Sequence, residues 1–330
     1  MNARRMTLVG LAAVATLFFL RPLGSVPQAQ TAKPPSGKSW TMPRTPWGHP
    51  DLSGTYTNST VVPVERPAEY ANKPELTDAE VEERVKKYRD TLFTKRDGDT
   101  GFYNDFWWEW GKDAKRTSLV VDPPDGKIPW TPDALAKNKQ AMAQSMKWEA
   151  YEEANIFDRC ISRGLPGAMM PGFYNHFYEI MQTPDAVVLL IEMIHDIRVI
   201  PLNSKRPPLH ANIKSYLGDS RGHWEGDTLV VETSNVGDGV TTSSVTFFGV
   251  GSDLKLVERF TRTSDDMIDY RFTVHSASKF TRPWTAAIPF WKSNERMFEY
   301  ACHEGNHAMS NSLKGTRYME KEGLLPNKKP

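Results

Sequence analysis

From Tyr174 onward, the chain consists of short runs of β-branched and aromatic residues separated by turn residues. Several runs are joined by tight connections such as Pro184-Asp185 and Gly226-Asp227, and so short a link allows only antiparallel neighbours. We therefore predict a mainly β fold, an antiparallel up-and-down meander that closes into a barrel to remove its exposed edges. A twisted open sheet or a sandwich is the alternative. The predicted strands are 174–183, 186–201, 221–226, 228–235, 254–263, 267–275, 282–291 and 296–303.

The longest of these runs, 186–201, carries two different faces. Its odd positions are mostly apolar, whereas its even positions become polar towards the end with Glu192, Asp196 and Arg198. A face of this kind lies either in solvent or along the polar wall of a cavity. Because an eight-stranded barrel can hold one small ligand, the second alternative predicts an enclosed binding site.

The part of the chain before Tyr174 has a different character. We expect a strand within 51–63, then a helix that begins at Thr77, forms a capping box with Glu80 and runs to about Thr91. A second helix should run from Thr131-Pro132 to about Glu153. Between them lies an aromatic cluster at 102–110. We thus divide the chain into a Pro/Ser-rich tether at 31–50, a helical and irregular extension at 51–173, and a barrel domain at 174–330.

The N-terminus has the features of an export signal. Arg4 and Arg5 precede an apolar run at 7–20, which is short for a membrane span and is followed by small and polar residues. We predict a signal peptide over 1–30 and a periplasmic or secreted protein that meets a membrane only if this segment stays uncleaved. In an oxidising compartment, the two cysteines, Cys160 and Cys302, would form a disulfide; two buried free thiols are the alternative.

Composition excludes several classes of function. The chain has 41 Lys+Arg against 40 Asp+Glu, and this balance gives no basic field for nucleic acid, so we expect no nucleic-acid partner. No phosphate loop, dinucleotide fingerprint, haem-attachment motif or calcium loop is present, and we therefore predict no cofactor.

Several strings resemble those of an uncharacterised family of exported bacterial proteins: PWGHPDLSGTYTN, DRCISRGLP, QTPDAVVLLIEMIHDIRVIPL, LGDSRGHWEGDTLVVET, TRPWTA and EYACHEGN. The resemblance covers nearly the whole mature chain and implies export, but it brings no reaction with it. Gly54-Thr55-Tyr56 and Gly222-His223-Trp224 are also similar to the Gly-x-Trp opening of calycin-type barrels. This second resemblance implies a lipocalin-like barrel.

Two short motifs suggest hydrolytic chemistry. His303 to His307 reads HEGNH and fits HExxH, which binds zinc when both histidines share a helical face, yet Gly305 and Asn306 disfavour a helix there. Gly218 to Gly222 fits the nucleophile elbow G-x-S-x-G, although a hairpin rather than a helix follows it. We expect neither motif to be catalytic and keep a zinc hydrolase as the third hypothesis.

Clustered acids, bases and imidazoles beside apolar strands favour acid/base chemistry, which works best when burial moves pKa values towards neutrality. Our first hypothesis is an enzyme of lyase, isomerase or hydrolase type acting on a small, partly apolar molecule. Glu192 or His195 would be the acid or base, Arg198 and Arg221 would stabilise an anion, and His303 would be a second proton carrier. The second hypothesis is a carrier whose charges form structural ion pairs. The predicted ligand-binding residues are Tyr174, Asn175, His176, Asp196, Arg282 and Trp284.

Overall fold

In a computed structural model of the chain, ten strands form one sheet in which every pair of neighbouring strands is antiparallel. The structure describes residues 40–93, 108–109, 112, 114–143, 148–237 and 253–324. The predicted signal peptide, residues 31–39 of the tether and most of the aromatic cluster lie outside these residues. The strands are β1 (Gly54–Thr57), β2 (Val120–Asp122), β3 (Phe177–Gln182), β4 (Ala186–Ile191), β5 (Ile197–Pro201), β6 (Asp219–Glu225), β7 (Thr228–Ser234), β8 (Lys255–Arg262), β9 (Met267–His275) and β10 (Trp284–Lys292).

The strand order is β5-β4-β3-β1-β10-β9-β8-β7-β6, with β2 added to β10. Two meanders, β3 to β5 and β6 to β10, are therefore joined by β1, which pairs with both β3 and β10. Because β1 and β2 come from the predicted extension at 51–173, the boundary expected at residue 174 does not separate the barrel from the rest. The predicted mainly antiparallel barrel is confirmed, and its middle strand comes from the N-terminal part.

The barrel is nearly closed where β5 approaches β6. Leu202 forms a parallel bridge with Gly222, and the Asn203 amide donates to the Gly222 carbonyl at 2.9 Å. A Cβ atom on Gly222 would lie 2.9 Å from Ile200 Cγ2 and 3.0 Å from Leu202 Cδ2. Only a residue without a side chain allows the two edge strands to come this close.

Large side chains fill the middle of the barrel. Tyr270 packs against Phe260 with ring centroids 4.6 Å apart and against Phe290 at 5.0 Å, and Phe272 makes an edge contact with Trp284. All five are essentially inaccessible to solvent. The interior of the barrel is thus a packed core of the kind that small barrels use.

Three helices accompany the sheet: α1 (Asp78–Phe93), α2 (Pro132–Ala143) and α3 (Ala308–Lys321). The capping box of α1 is confirmed, since Glu80 Oε2 accepts from the Thr77 amide at 2.9 Å and Thr77 Oγ1 accepts from the Glu80 amide at 3.4 Å. The second helix is described as far as Ala143, and residues 148–150 are not helical, so it does not reach the predicted end at Glu153. Within the described part of the chain, none of the helices has the length and apolar character of a membrane span.

Two strand predictions in the C-terminal half are wrong. The run 186–201 is interrupted by a 3-10 turn at Met193–His195, where Ile194 and His195 have positive φ, so it forms β4 and β5. The segment 296–303 is irregular and forms no strand. It lies against the end of the barrel and forms part of the site described next.

Candidate functional site

A cavity of about 1170 Å³ opens at one end of the barrel, where β1, β4 and β10 end and β3 begins. We call it the end cleft. Thr57, Phe177 and Glu192 line it from the strand ends, and Trp108 with Glu109 forms a second wall. A third wall is the irregular segment 295–306, which we call the wall segment.

Glu109 is a partly buried carboxylate that the sequence analysis did not identify. Its Oε2 atom accepts from the His176 amide at 2.9 Å and from Ser59 Oγ at 3.2 Å. Burial and, to a smaller extent, the nearby charge of Glu192 raise the pKa of Glu109 to about 7 against the opposing effect of these hydrogen bonds. Glu109 therefore exchanges its proton near neutral pH.

Glu192 begins the turn that interrupts the predicted strand, and this turn carries its side chain into the end cleft. It is almost completely buried. Its Oε1 atom accepts from the Phe298 amide at 2.7 Å, and its Oε2 atom accepts from the Phe177 amide at 3.3 Å. Burial raises the pKa of Glu192, while these backbone hydrogen bonds favour the ionised form. The prediction that Glu192 lies in a cavity agrees with this placement.

Asn175 holds the two carboxylates in one site. Its backbone amide donates to Glu109 and its side chain to Glu192. Its φ is +52°, in the left-handed region that Asn adopts more readily than most residues. Since the amides that bind the two Oε2 atoms belong to consecutive residues, we place those oxygens within about 10 Å of each other.

Several contacts attach the wall segment to the rest of the protein. The predicted disulfide between Cys160 and Cys302 is present, and Asn306 Nδ2 donates to Cys160 Sγ at 3.0 Å. His195 Nδ1 lies 3.2 Å from the Tyr300 carbonyl oxygen, and the Phe298 amide binds Glu192 as described above. The disulfide spans 142 residues, so it connects the wall to the distant 160 region.

Two of the predicted ligand-binding residues line the end cleft and two lie beside it. Tyr174 and Asn175 belong to its lining. His176 is buried behind them, 3.4 Å from Arg163, and burial together with that guanidinium charge lowers its pKa well below the usual value. His176 is consequently neutral. Asp196 accepts from Ser162 Oγ at 2.9 Å, and burial raises its pKa.

Arg198 lies inside the barrel rather than in the end cleft. Its NH1 atom donates to Glu258 Oε1 at 2.9 Å, and Tyr270 donates to the same oxygen at 2.8 Å. The side chains of Arg198 and Glu258 are 1% and 0% exposed. The role predicted for Arg198, stabilising an anion on a ligand, is corrected to a buried ion pair, because its charge already has a partner.

Three further predictions are corrected by placement. Arg221 pairs with Asp219 at 3.1 Å, and Arg282 pairs with Asp122 at 2.8 Å on the surface. Trp284 is a fully buried core residue. Each of these side chains is already used in a structural contact, and none of the three lines the end cleft.

The two hydrolytic motifs do not adopt the geometry that their chemistry needs. His303 lies in the irregular segment before α3, and His307 is the residue that caps this helix, so the two do not share a helical face. Among the described residues, no group of three or more His, Cys, Asp or Glu is placed to hold a metal ion. Ser220 lies within β6 and its Oγ bonds to Thr233 Oγ1 at 2.8 Å, so it does not sit on an elbow.

The end cleft thus combines a neutral-range carboxylic acid, a second carboxylate and aromatic walls. A group of this kind can move a proton on a bound small molecule. Comparisons with models of protein families, with curated proteins and with solved structures found no match for this chain. The geometry of the end cleft is therefore the basis for inferring its function.

Proposed function

We propose that the end cleft binds a small, partly apolar molecule and carries out acid/base chemistry on it with Glu109 and Glu192. The observation that carries this proposal is the pair itself. Two carboxylates held by donors on consecutive residues line one cavity, and one of them has a pKa of about 7. A catalytic acid or base works best when its pKa is close to the working pH.

The two carboxylates have distinct roles in this proposal. Glu109 has the strongly raised pKa, to which the charge of Glu192 contributes, so in this proposal Glu192 is the ionised partner and Glu109 is the one that keeps its proton. Glu109 donates or accepts the proton, and ionised Glu192 stabilises positive charge that develops on the substrate. Ser59 and the His176 amide orient Glu109 Oε2. The reaction needs no cofactor and is of lyase, isomerase or hydrolase type.

A second candidate function has support from one observation. Both oxygens of Glu192 accept from backbone amides, at Phe298 and Phe177, so this carboxylate also fastens the wall segment to the barrel. In a carrier without catalysis, Glu192 would have only this holding role. The two functions differ in what Glu109 does once a molecule is bound.

The test compares the wild type with Glu109→Gln and Glu192→Gln on a panel of small esters, lactones and β-hydroxy carbonyl compounds. Glutamine keeps the size of the side chain and an acceptor oxygen but carries no transferable proton. We expect Glu109→Gln to lower turnover by about 100-fold or more while binding persists, since general acid/base catalysis contributes this much. Binding without turnover by any of the three proteins contradicts the enzyme and leaves the carrier, and equal turnover by all three contradicts the role of the two carboxylates.

The proposal includes export of the protein. The disulfide is compatible with an oxidising compartment. Residues 1–30, which carry the predicted signal, lie outside the described part, and N-terminal sequencing of the secreted form tests their removal.

A further inference from the structure

Three acidic residues are buried in the part of the chain that the structure describes, and two of them, Glu258 and Asp219, are paired with arginine. Glu258, with no exposed surface, forms an ion pair with Arg198, and Asp219 pairs with both Arg206 and Arg221. Glu192 is equally buried, at 2% exposed. Within the described residues no Lys or Arg forms an ion pair with Glu192. A buried ionised carboxylate without a cation is costly, so a cationic group bound in the end cleft would stabilise the ionised form of Glu192.

The lining of the end cleft extends the same pattern. Among its described residues Arg296 is the one basic side chain, and it is exposed to solvent. Neither Glu109 nor Asp158 has an ion-pair partner among the residues described, and burial raises the pKa of both. The acidic residues that line the cleft are Glu109, Asp158, Glu192, Glu295, Glu299 and Glu304.

Aromatic rings form much of the remaining surface. Trp108, Phe157, Tyr174, Phe298 and Tyr300 all line the cleft. The rings of Tyr174 and Tyr300 are nearly parallel, at 12°, with centroids 6.5 Å apart. Ring faces carry partial negative charge and attract ammonium groups within about 6 Å of the centroid.

We propose that the end cleft selects an organic cation, a primary or quaternary ammonium group on an apolar or aromatic body. The unpaired carboxylates and the ring faces attract the ammonium group, and the volume of about 1170 Å³ leaves room for the body. An organic cation fits better than a metal ion, because a metal needs several converging ligands and no three acids, histidines or cysteines of the described residues converge in that way. This inference rests on the proposed function and specifies the substrate class of the same cleft.

The experiment uses three probes of nearly equal size: 2-phenylethylammonium, 2-phenylethanol and 3-phenylpropanoate. Binding to the full-length protein is measured by calorimetry at pH 7.5 and at two salt concentrations. We expect the ammonium compound to bind about tenfold more tightly than the alcohol, and the carboxylate to bind more weakly than either. The advantage of the ammonium compound should decrease in higher salt.

Two variants identify the origin of that advantage. Glu192→Gln should reduce the affinity for the ammonium compound by more than it changes the affinity for the alcohol, so the ratio of the two affinities falls. Glu232→Gln, at an exposed position of β7, is the matched control and should change neither. Equal affinity for the ammonium compound and the alcohol, tighter binding of the carboxylate, or no binding of any probe overturns the inference. A separate titration of Glu109 distinguishes failure of the organic-cation inference from failure of the proposed acid/base function. If all three probes bind alike but Glu109 has a pKa of about 7, only the organic-cation inference fails.

Discussion

Removing one partner of the buried pair between Arg198 and Glu258 should destabilise the protein far more than removing both. Two hydrogen bonds join the side chains, and both are at most 1% exposed. Breaking such a pair leaves an uncompensated buried charge and costs about 3–5 kcal/mol of unfolding free energy. Replacing both groups by apolar residues of similar volume is often close to neutral.

A double-mutant cycle measures this difference. Arg198→Met and Glu258→Leu are made singly and together, and urea unfolding is followed by tryptophan fluorescence. We expect each single variant to lose about 3–5 kcal/mol and the double variant to lose about 2 kcal/mol or less. The double variant leaves the Tyr270 hydroxyl without its acceptor, so Tyr270→Phe in that background should recover part of the remaining loss.

The cycle also decides between two roles for Arg198. If it acts on a ligand, as the sequence first suggested, Arg198→Met should cost little stability and should abolish turnover. If the ion pair is structural, the double variant should keep both its fold and its activity. A single Arg198→Met variant that loses less than about 1 kcal/mol would refute the structural interpretation.

Three further predictions concern stability. Replacing Cys160 and Cys302 by serine removes a 142-residue cross-link worth about 5 kcal/mol in the chain-entropy relation, so the melting temperature should fall by roughly 10 °C. Dithiothreitol should not lower the melting temperature of this variant further. A variant that melts at the wild-type temperature would contradict a stabilising role for the disulfide. Gly222→Ala should lower the free energy of unfolding by about 1–3 kcal/mol, because its Cβ atom would meet Ile200 and Leu202. Gly315→Ala has open space around it in α3 and should be neutral or slightly stabilising. If both variants have the same stability, strands β5 and β6 are less closely packed than described. Because folding raises the pKa of Glu109 from 4.5 to about 7, its contribution to stability is complete below pH 4.5 and lost as the pH rises through 7, a decline of roughly 3 kcal/mol. Folding also raises the pKa values of Glu192, Asp158 and Asp196, so these groups lower the stability with rising pH in the same way. The contribution of Glu109 is therefore measured as the difference in unfolding free energy between the wild type and Glu109→Gln at each pH. If the two proteins have parallel stability profiles, the raised pKa of Glu109 is contradicted.

Local patterns in the sequence predicted most of the barrel. Tight turns such as Gly226-Asp227 determine antiparallel neighbours, and the alternation along 254–275 places Leu256, Phe260 and Tyr270 in the core. A strand within 51–63 was predicted, but its place in the middle of the barrel was not. The pairing of β1 with β3 and β10 joins segments more than a hundred residues apart and therefore leaves no local pattern in the sequence.

The candidate site was predicted only in part, because some of its residues leave a local pattern in the sequence and others do not. Glu192 interrupts an apolar run, which marks it as unusual, and its neighbours Tyr174 and Asn175 precede a strand. Glu109 had no such signal, because it lies in an aromatic segment and meets its partner only through the fold. The predicted strand at 296–303 failed because its apolar and aromatic residues cover the end cleft instead of extending the sheet.

The arginines show where the sequence interpretation was weakest. Arg198 and Arg221 follow the same charge pattern as Glu192 and Asp196, and sequence alone cannot tell a charge that meets a partner from one that meets a ligand. The fold pairs Arg198 with Glu258, sixty residues away, and Arg221 with its near neighbour Asp219. Only the ion pairs seen in the fold distinguish these structural charges from the end-cleft acids Glu109, Asp158 and Glu192, which have no ion-pair partner among the described residues.

The most direct test of the central claim is the titration of Glu109 by carbon NMR of protein labelled at the glutamate carboxyl carbon, with Glu109→Gln used to assign the signal. We expect a pKa of about 7 in the wild type and a lower value in Glu192→Gln, because the neighbouring charge is then absent. A Glu109 that titrates near 4.5 and does not respond to Glu192→Gln would contradict the proposed acid/base pair.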